Sequence, residues 1–509
     1  MESKATICVP ICEQSISALA EALVSAALSA DLLELRLDCL NHTSVSDVAL
    51  ALNPLLSNFS KPVILTLRPA NQGGYQELSS ESRLQFWQSN RPLTDALLDI
   101  EFDLIRTPKM SDAVSDWSRV ICSHHDFVGL PSDLDGLYDQ LAHTPARILK
   151  IAVQAADAID CLPIFHLLDR AQKEERELIA IAMGQAGLMT RILGPSRGSF
   201  LTYAARDNET TTAPGQIGVR ELRDVYRIAK IDRQTEIFGL VGSPVSHSLS
   251  PRIHNAAFET SERNAVYIPF EVRDLPAFVR RMVHPRTREI EWNLRGLSVT
   301  APHKLAVMQH LDWVEPAARE IGAVNTVAID ENGLRGYNTD AIGFIRPLLE
   351  RLGSLNGARC AVIGTGGAAS AAVLTLKTQG AEVTVFGRTP ERAVLFAKRF
   401  EVVSEPLNEA RFQGFDVVVN ATPLGTSGRL QSETPVCADQ LHGARLVYDL
   451  VYNPLETEFL RQARTVDCQT LGGAEMFLAQ AHEQFRLWTG GEAPSGVMRK
   501  ALEAALSER

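Results

Sequence analysis

The first 230 residues alternate between short apolar runs and longer stretches in which apolar side chains recur at helical spacing. Runs of strand length lie at 6–11, 32–38, 62–68, 97–103, 119–125, 147–153, 178–183 and 200–205. Between them lie segments such as 15–28, where a leading serine precedes apolar residues at the period of an α-helix. Eight strand–helix repeats predict a (β/α)₈ TIM barrel, and periodicity alone leaves an open doubly wound sheet as the alternative.

A second α/β region begins with the run EIFGLVG at 236–242. Its pattern has two centres, which predict one α/β unit over 236–340 and another over 341–474. The last segment, 475–509, has helical spacing and should pack back onto a preceding unit. With a barrel over 1–230, we expect an α/β protein of three parts.

Composition narrows the class of protein. The 509 residues include 50 Lys and Arg against 61 Asp and Glu, which gives a formal net charge of −11. The 45% hydrophobic and 22% charged residues are ordinary globular usage, which excludes a mainly disordered, collagenous or membrane protein. Because duplex binding requires clustered basic side chains, the acidic balance argues against a nucleic acid partner. The composition does not predict an oligomeric state.

The eight cysteines contain no CxxC pair of the kind that binds metals. We therefore expect no metal site, Cys8 and Cys12 as buried packing residues, and a reducing compartment. The first residues do not resemble an export signal, and the longest apolar runs are too short for a membrane span. These features predict a cytoplasmic protein.

Charged side chains lie in or at the ends of the predicted barrel strands, where such barrels carry their active sites. Lys150 lies within the apolar run 147–153. It could be an edge residue whose stem reaches water. If it is buried, desolvation lowers its pKa, and the neutral amine is a nucleophile for a ketone. Arg36 and Arg68 at neighbouring strand ends would suit a carboxylate, so the pattern indicates Schiff-base chemistry on a small oxo-acid.

Six segments resemble the motifs of type I 3-dehydroquinate dehydratase, in the order of that family. They are ELRLD (34–38), TLR (66–68), SHHDF (123–127), LKIAV (149–153), AMGQAGLMTR (182–191) and APGQ (213–216). The resemblance implies a (β/α)₈ barrel in which Lys150 forms an imine with the C3 ketone of dehydroquinate and His125 transfers protons during syn elimination of water. It also implies that Met183 lies beside the imine and that an acidic residue within 99–103 orients the histidine. The substrate-binding residues that it implies are Glu34, Arg36, Arg68, Arg191, Thr212 and Gln216.

Two positions depart from the family pattern. Gln72 stands before Gly73-Gly74 where the family often has a glutamate, and Thr212 replaces a serine. Both positions lie on predicted loops rather than at the chemical centre, so we expect them to affect closure over the substrate.

A glycine-rich turn, GTGGAA at 364–369, follows a predicted strand and opens a helix. Such a turn can be a simple strand–helix connection, or it can bind a pyrophosphate at the helix N-terminus. The next strand, 381–386, does not end in the Asp or Glu that holds a free ribose 2′-hydroxyl. Arg388 follows it and suits a 2′-phosphate, which favours NADP over NAD.

Lys304 and Asp340 are 36 positions apart and would ordinarily be solvated surface groups. If they meet in a cleft, a lysine held by an aspartate can give a proton to the alkoxide formed in ketone reduction. Ser246 and Ser248 offer hydroxyl donors to a carboxylate.

The strings around these residues resemble shikimate dehydrogenase over 236–490. The resemblance implies that Lys304 and Asp340 are the catalytic pair. The substrate contacts that it implies are Ser246, Ser248, Thr300, Asn325, Tyr452 and Gln480. The NADP contacts that it implies are Gly364, Gly366, Gly367, Arg388, Thr389, Gly473 and Met476. Gly387 replaces the asparagine of the family's phosphate motif, which removes one contact.

Together the two resemblances imply consecutive reactions in one chain, dehydration of dehydroquinate and then reduction of dehydroshikimate to shikimate with NADPH. One alternative is a second half that acts with NAD on quinate. Another is a quinate or shikimate sensor without activity, which should have lost Lys150, His125, Lys304 and Asp340 and gained a DNA-binding segment.

Overall fold

The computed structural model describes residues 5–41, 59–89, 96–207 and 212–508, together with residues 52, 54 and 56. The chain forms two compact units. The first comprises Met1–Ile237, Ser243–Ser246 and Asn264–Asn293, and the second comprises Phe238–Gly242, His247–Arg263 and Leu294–Arg509. Within the described ranges, no helix has both the length and the apolar character that crossing a bilayer requires.

The first unit contains a nearly closed ring of eight parallel strands. They are β1 (Ile7–Ile11), β2 (Leu32–Arg36), β3 (Val63–Thr66), β4 (Leu97–Glu101), β5 (Val120–Asp126), β6 (Ile148–Gln154), β7 (Glu177–Met183) and β8 (Thr202–Tyr203). Their order is β7-β6-β5-β4-β3-β2-β1-β8, and a parallel bridge between Leu178 and Ser199 connects β7 with the segment before β8. The predicted barrel is therefore confirmed, and the open doubly wound sheet is not what forms.

Helices connect the strands of this ring. They span Ile16–Ala27, Ser80–Ser89, Phe102–Ile105, Met110–Ala113, Leu134–Ala142, Cys161–Lys173 and Leu188–Leu193. Strands β2, β3 and β4 end two residues earlier than the apolar runs predict, and short helical turns begin directly after β2 and β4. As a result Arg68 stands just beyond its strand rather than within it. The unit also contains β10 (Ala265–Glu271) and a short helix, Leu275–Phe278.

One cysteine prediction is wrong. Cys8 is fully buried as expected, but Cys12 forms a disulfide with Cys39. Because β1 and β2 are neighbours, the residues that follow them lie side by side, and the two Cα atoms are 5.4 Å apart. The cysteine pattern of the sequence predicts a reducing compartment. Because disulfides are rare in such compartments, the cysteines no longer support that prediction.

The second unit contains two sheets. In the first, β9 (Glu236–Gly242, of which Phe238–Gly242 belong to this unit), β11 (Leu294–Val299), β13 (Thr326–Asp330), β14 (Gly333–Tyr337) and β12 (Trp313–Val314) follow one another in that order. The β11–β13 and β13–β14 pairs are antiparallel. The helix Gly473–Thr489 packs back toward this sheet, because the Trp488 indole N–H donates to the Val327 carbonyl at 3.0 Å.

The other sheet has the Rossmann order. It consists of β15 (Arg359–Ile363), β16 (Glu382–Gly387), β17 (Val403–Pro406), β18 (Val417–Asn420), β19 (Leu446–Asp449) and β20 (Gln469–Leu471), all parallel and arranged as β17-β16-β15-β18-β19-β20. The helices of the unit are Ser250–Thr260, Pro316–Ile321, Thr339–Leu352, Gly367–Thr378, Pro390–Phe400, Ala438–Leu441, Glu458–Thr465, Gly473–Thr489 and Ser495–Ser507. Dinucleotides bind across the carboxyl ends of such a sheet.

Candidate active sites

A cavity of about 500 Å³, counting its open mouth, lies at the carboxyl ends of the barrel strands. Nine of the residues predicted for the first site line it: Glu34, Arg36, Arg68, His125, Lys150, Met183, Arg191, Thr212 and Gln216. Alternation along a strand explains which side chains face inward, since Lys150 and Ala152 of β6 both line the cavity. The same alternation turns His125, rather than His124, toward it.

Lys150 is a buried residue of a central strand. Only 4% of it is exposed, and β6 lies between β5 and β7, so it is not an edge residue. Its ammonium donates to Asp99 Oδ2 at 2.8 Å and to the Tyr203 hydroxyl at 2.9 Å. Glu34 Oε1 is 3.6 Å from the same nitrogen. The amine is thus held by one carboxylate and one phenol at the wall of the cavity.

His125 is half-buried and lines the same cavity as this amine. Burial lowers the pKa of its imidazole well below the usual value, and the positive charges of Arg68 and Lys150 lower it further. The ring therefore stays neutral at neutral pH and can accept a proton. No residue that the structure describes makes a hydrogen bond to its Nδ1, so no acidic residue of 99–103 orients the ring through this nitrogen.

The carboxylates of β4 instead hold Arg68. The guanidinium of Arg68 contacts Asp99 at 2.8 Å and Glu101 at 3.0 Å, and it donates to the Ser123 hydroxyl at 2.8 Å. Arg83 pairs with the other oxygen of Glu101 at 2.8 Å. Burial raises the pKa of Glu101 to about 7, against the effect of Arg68. Lys150 stands out in the sequence as a charged residue within an apolar run. The same signal, applied to the alternating carboxylates of β4, could have revealed Asp99 and Glu101.

The other cationic residues of the cavity differ in how they are held. Arg36 makes two hydrogen bonds to Asp38, at 3.0 and 2.7 Å, which fix its guanidinium. Among the described residues, Arg191 donates to the carbonyls of Tyr203 and Pro214, at 3.4 and 3.3 Å, and forms no ion pair. Burial lowers the pKa of Arg191 to about 10. A buried guanidinium without a carboxylate partner is suited to an anionic ligand.

The segment after β8 contributes Thr212 and Gln216 to the lining of the cavity, and these two residues contact each other. The Thr212 hydroxyl donates to Gln216 Oε1 at 3.2 Å, and its backbone N–H donates to the same oxygen at 2.9 Å. The threonine that replaces the family's serine therefore keeps its hydroxyl at the cavity wall. Gln72, the other departure, also lines the cavity.

In the second unit, Lys304 and Asp340 meet as the sequence predicts. The ammonium of Lys304 donates to Asp340 Oδ2 at 2.5 Å, and Asn325 Nδ2 donates to Asp340 Oδ1 at 2.8 Å. Asp340 lies in the first turn of the helix Thr339–Leu352, whose Asn338 side chain caps the N-terminus. The lysine is partly exposed and the aspartate nearly buried, so the pair faces solvent from the lysine side.

Asn325 also belongs to a polar network that the sequence did not indicate. Its Oδ1 accepts the Thr339 N–H at 2.7 Å, and the neighbouring Thr326 hydroxyl contacts Gln484 Nε2 at 3.1 Å. Gln484 Oε1 accepts from Ser298 at 3.0 Å. The network fixes the start of the helix that carries Asp340.

The remaining predicted substrate residues have separate surroundings. Ser246 is exposed, while Ser248 is half-buried and accepts the Ser250 N–H at 3.2 Å. Gln480 is buried against Gly343, where an added Cβ would lie 2.7 Å from the Gln480 Cβ. Thr300 and Tyr452 are the two other predicted substrate contacts. Thr300 is half-buried after β11, and the Tyr452 ring stacks on Phe477 at 4.2 Å between centroids.

The glycine turn fits a dinucleotide. Gly364 has φ +126°, and an added Cβ would lie 2.9 Å from the Ala421 carbonyl oxygen, so this position requires glycine. Gly366 and Gly367 begin the helix Gly367–Thr378, and an added Cβ at either would meet nothing. That open space lies where a pyrophosphate approaches the helix N-terminus.

Other predicted cofactor positions surround the same sheet edge. Arg388 and Thr389 are exposed directly after β16, and Thr389 precedes the helix Pro390–Phe400. Gly473 lies against the backbone, because an added Cβ would be 2.5 Å from the carbonyl oxygens of Leu450 and Val451. Met476 is buried in the core of the Rossmann lobe.

Comparison with known families finds a match for both halves of the chain. The family model of type I 3-dehydroquinase matches residues 7–233, and that of the shikimate dehydrogenase substrate-binding domain matches 240–327. Models of shikimate/quinate 5-dehydrogenase and of the shikimate 5′-dehydrogenase C-terminal domain match 348–446 and 473–503. The bifunctional 3-dehydroquinate dehydratase/shikimate dehydrogenase of Arabidopsis thaliana, a chloroplastic protein, is 34% identical over 97% of this chain and 83% of its own length. The chain belongs to this bifunctional family.

Membership makes the chain an enzyme that combines a type I 3-dehydroquinase, a lyase, with an NADP-dependent shikimate dehydrogenase, an oxidoreductase. The shikimate dehydrogenase (NADP(+)) of Moorella thermoacetica is 40% identical over 54% of the chain and 96% of its own length. A crystal structure of a shikimate dehydrogenase in complex with NADP+ superposes with a TM-score of 0.50 at 34% identity, and covers 54% of this chain and 97% of that protein. The predicted family, fold class, enzyme class and cofactor are thereby confirmed.

Proposed function

We propose that the barrel dehydrates 3-dehydroquinate through an imine on Lys150. The Lys150 ammonium first loses a proton, and the neutral amine that results attacks the ketone carbon. A proton then joins the carbinolamine oxygen, which leaves as water and gives an iminium that acidifies the adjacent carbon. His125, whose pKa is well below its usual value, accepts that proton and returns it to the departing hydroxyl. Hydrolysis of the imine then releases 3-dehydroshikimate and restores the amine. The observation that carries this proposal is a buried Lys150 that shares one cavity with His125.

The other cavity residues serve as ligands in this proposal. Arg191, which has no carboxylate partner among the residues that the structure describes, suits the substrate carboxylate. The residues proposed to bind substrate hydroxyl and carboxylate groups are Glu34, Arg36, Arg68, Arg191, Thr212 and Gln216. Met183 packs beside the imine.

Reduction of the imine with borohydride tests this proposal. We expect borohydride added with dehydroquinate to attach the substrate carbon skeleton to the peptide that contains Lys150, as read by mass spectrometry. Lys150→Ala should prevent this attachment, whereas Lys173→Ala, which changes an exposed lysine of the same unit, should not. Attachment at another lysine would refute the assignment.

In the second unit, Lys304 is proposed to give a proton to the alkoxide as 3-dehydroshikimate is reduced, with Asp340 holding the lysine. NADPH, when bound, supplies the hydride. Ser246, Ser248, Thr300, Asn325, Tyr452 and Gln480 are the proposed substrate contacts. Gly364, Gly366, Gly367, Arg388, Thr389, Gly473 and Met476 are the proposed cofactor contacts. Arg388 supports NADPH over NADH, since a guanidinium at this strand end pairs with a 2′-phosphate.

We also propose the division of the chain into a barrel over 1–230, a substrate lobe over 236–340 with the helices of 475–509, and a nucleotide lobe over 341–474. The ranges of the matched families support these bounds. Limited proteolysis followed by mass spectrometry should cut first between 230 and 236. Early cleavage within 100–200 would contradict the proposed barrel bounds.

A further inference from the structure

A buried polar network joins the carboxyl ends of two Rossmann strands. Asn420 ends β18 and Asp449 ends β19, the two are paired in register, and neither is exposed. Asn420 Nδ2 donates to Asp449 Oδ1 at 2.9 Å. Asp449 also accepts the Val451 N–H at 3.0 Å and the Thr457 hydroxyl at 2.5 Å. Its carboxylate therefore ties together β18, the chain after β19 and the start of the helix Glu458–Thr465.

The amide of Asn420 extends this network into the loop 421–425. Its Oδ1 accepts the Thr422 N–H at 3.0 Å and the Thr422 hydroxyl at 2.7 Å, and its Nδ2 donates to the Leu424 carbonyl at 3.2 Å. One side chain thus sets the path of the loop. The loop abuts the glycine turn, because the Ala421 carbonyl oxygen would lie 2.9 Å from a Cβ at Gly364.

A buried carboxylate without a cationic partner is costly, and packing alone would favour apolar residues here. No ion pair of Asp449 is found in the part of the chain that the structure describes, and the groups that contact its carboxylate are the neutral donors of Asn420, Val451 and Thr457. The network lies at the carboxyl edge of the sheet, where a dinucleotide binds. Its location indicates a role in shaping that cleft.

We propose that Asp449 is a positioning residue for the cofactor, which acts through Asn420 to hold the loop 421–425 as one wall of the NADP cleft beside Gly364. This inference rests on the nucleotide site proposed above. In this proposal Asp449 does not bind the cofactor itself. It sets the geometry of the loop that faces the cofactor.

The test compares NADP+ affinity, measured by calorimetry, in the full-length chain and four variants. Asp449→Leu and Asp449→Ala remove the acceptor, and Asp449→Asn keeps an oxygen for Asn420 and Val451 while the Thr457 hydroxyl can turn to accept from the new amide. Asp416→Leu is the matched control, since Asp416 accepts the Arg359 N–H at 2.9 Å just before β18, at the opposite end of the same sheet. Hydrogen exchange of the amides of 421–425 gives a second readout.

We expect Asp449→Leu and Asp449→Ala to raise the Kd for NADP+ about tenfold and to speed exchange in 421–425, with Asp449→Asn close to the parent. Asp416→Leu should leave both readouts unchanged. If Asp449→Leu does not fold, the comparison rests on Asp449→Ala. An unchanged Kd in the acceptor-free variants, or an equal rise in Asp416→Leu, would overturn the inference. Failure of the parent chain to bind NADP+ would instead overturn the proposed nucleotide site.

Discussion

Lys150 and Asp99 form a buried ion pair, with 2.8 Å between Nζ and Oδ2 and exposures of 4% and 0%. The same oxygen lies 2.8 Å from Arg68. Burial opposes ionisation of Asp99, but Arg68 and Lys150 outweigh it and lower its pKa below the usual range. The carboxylate therefore compensates two buried cations at once. It also anchors the amine at a fixed place on the cavity wall.

Asp99→Asn should remove the negative charge that Lys150 and Arg68 share. Because two buried cations would lose their shared counter-charge, we expect the free energy of unfolding of the barrel to fall by about 3 kcal/mol. Dehydration should slow as well, while reduction of supplied dehydroshikimate should be unchanged. Urea unfolding and separate assays of the two reactions measure these effects. Asp135→Asn, at an exposed carboxylate of the same unit, is the control, and equal stability of the two variants would contradict the role of Asp99.

The sequence predicted Lys150 but not its partner, and the reason is physical. A lysine in an apolar strand is visible locally, yet Asp99 is 51 positions away and meets it only because the sheet curls into a ring. Periodicity predicts strands and does not predict which side chains approach across a closed barrel. For the same reason Gln484, which contacts Thr326 from a distant helix, had no local signal. Residues that lie within family motifs, such as His125, could be found directly.

The two lysines should control different reactions. Lys150→Ala should abolish dehydration of dehydroquinate and leave reduction of dehydroshikimate intact, because Lys304 lies in the other unit. Lys304→Ala should lower the kcat of reduction by about 100-fold, the contribution of a positioned general acid, and spare dehydration. Each variant is assayed with both substrates separately. Dehydration at near the parent rate in Lys150→Ala would exclude the imine mechanism.

The low pKa of His125 predicts the pH dependence of dehydration. The imidazole loses activity as a base only when it becomes protonated, so the acidic fall in kcat/KM should lie well below pH 6.5. Replacing Arg68 by Gln removes one positive charge and should move that fall to higher pH. Profiles from pH 5 to 9 measure the shift. His124→Asn, at the neighbouring ring, should keep the parent profile, and a parent profile that falls near pH 6.5 would contradict the assignment.

The disulfide between Cys12 and Cys39 encloses a separation of 27 residues. Closing a loop of this length lowers the entropy of the unfolded chain, so replacing both cysteines by serine should reduce the free energy of unfolding of the barrel by about 3 to 4 kcal/mol. Cys437→Ser, at an exposed thiol, is the control. Equal stability with and without a reductant would contradict the disulfide.

Thiol trapping in fractionated cells would also test the cytoplasmic location that the sequence predicts.

Arg388 should determine the choice of coenzyme. It is exposed directly after β16, where a guanidinium can pair with the 2′-phosphate that distinguishes NADPH from NADH. Loss of a charge-assisted hydrogen bond costs about 1.5 to 3 kcal/mol, so Arg388→Ala should raise the KM for NADPH by about 10- to 100-fold. The KM for NADH should change little, because NADH has no phosphate there to lose. Arg392→Ala, at an exposed arginine of the helix Pro390–Phe400, is the control. An equal rise for both coenzymes would show that Arg388 supports the fold of the cleft rather than recognition of the phosphate.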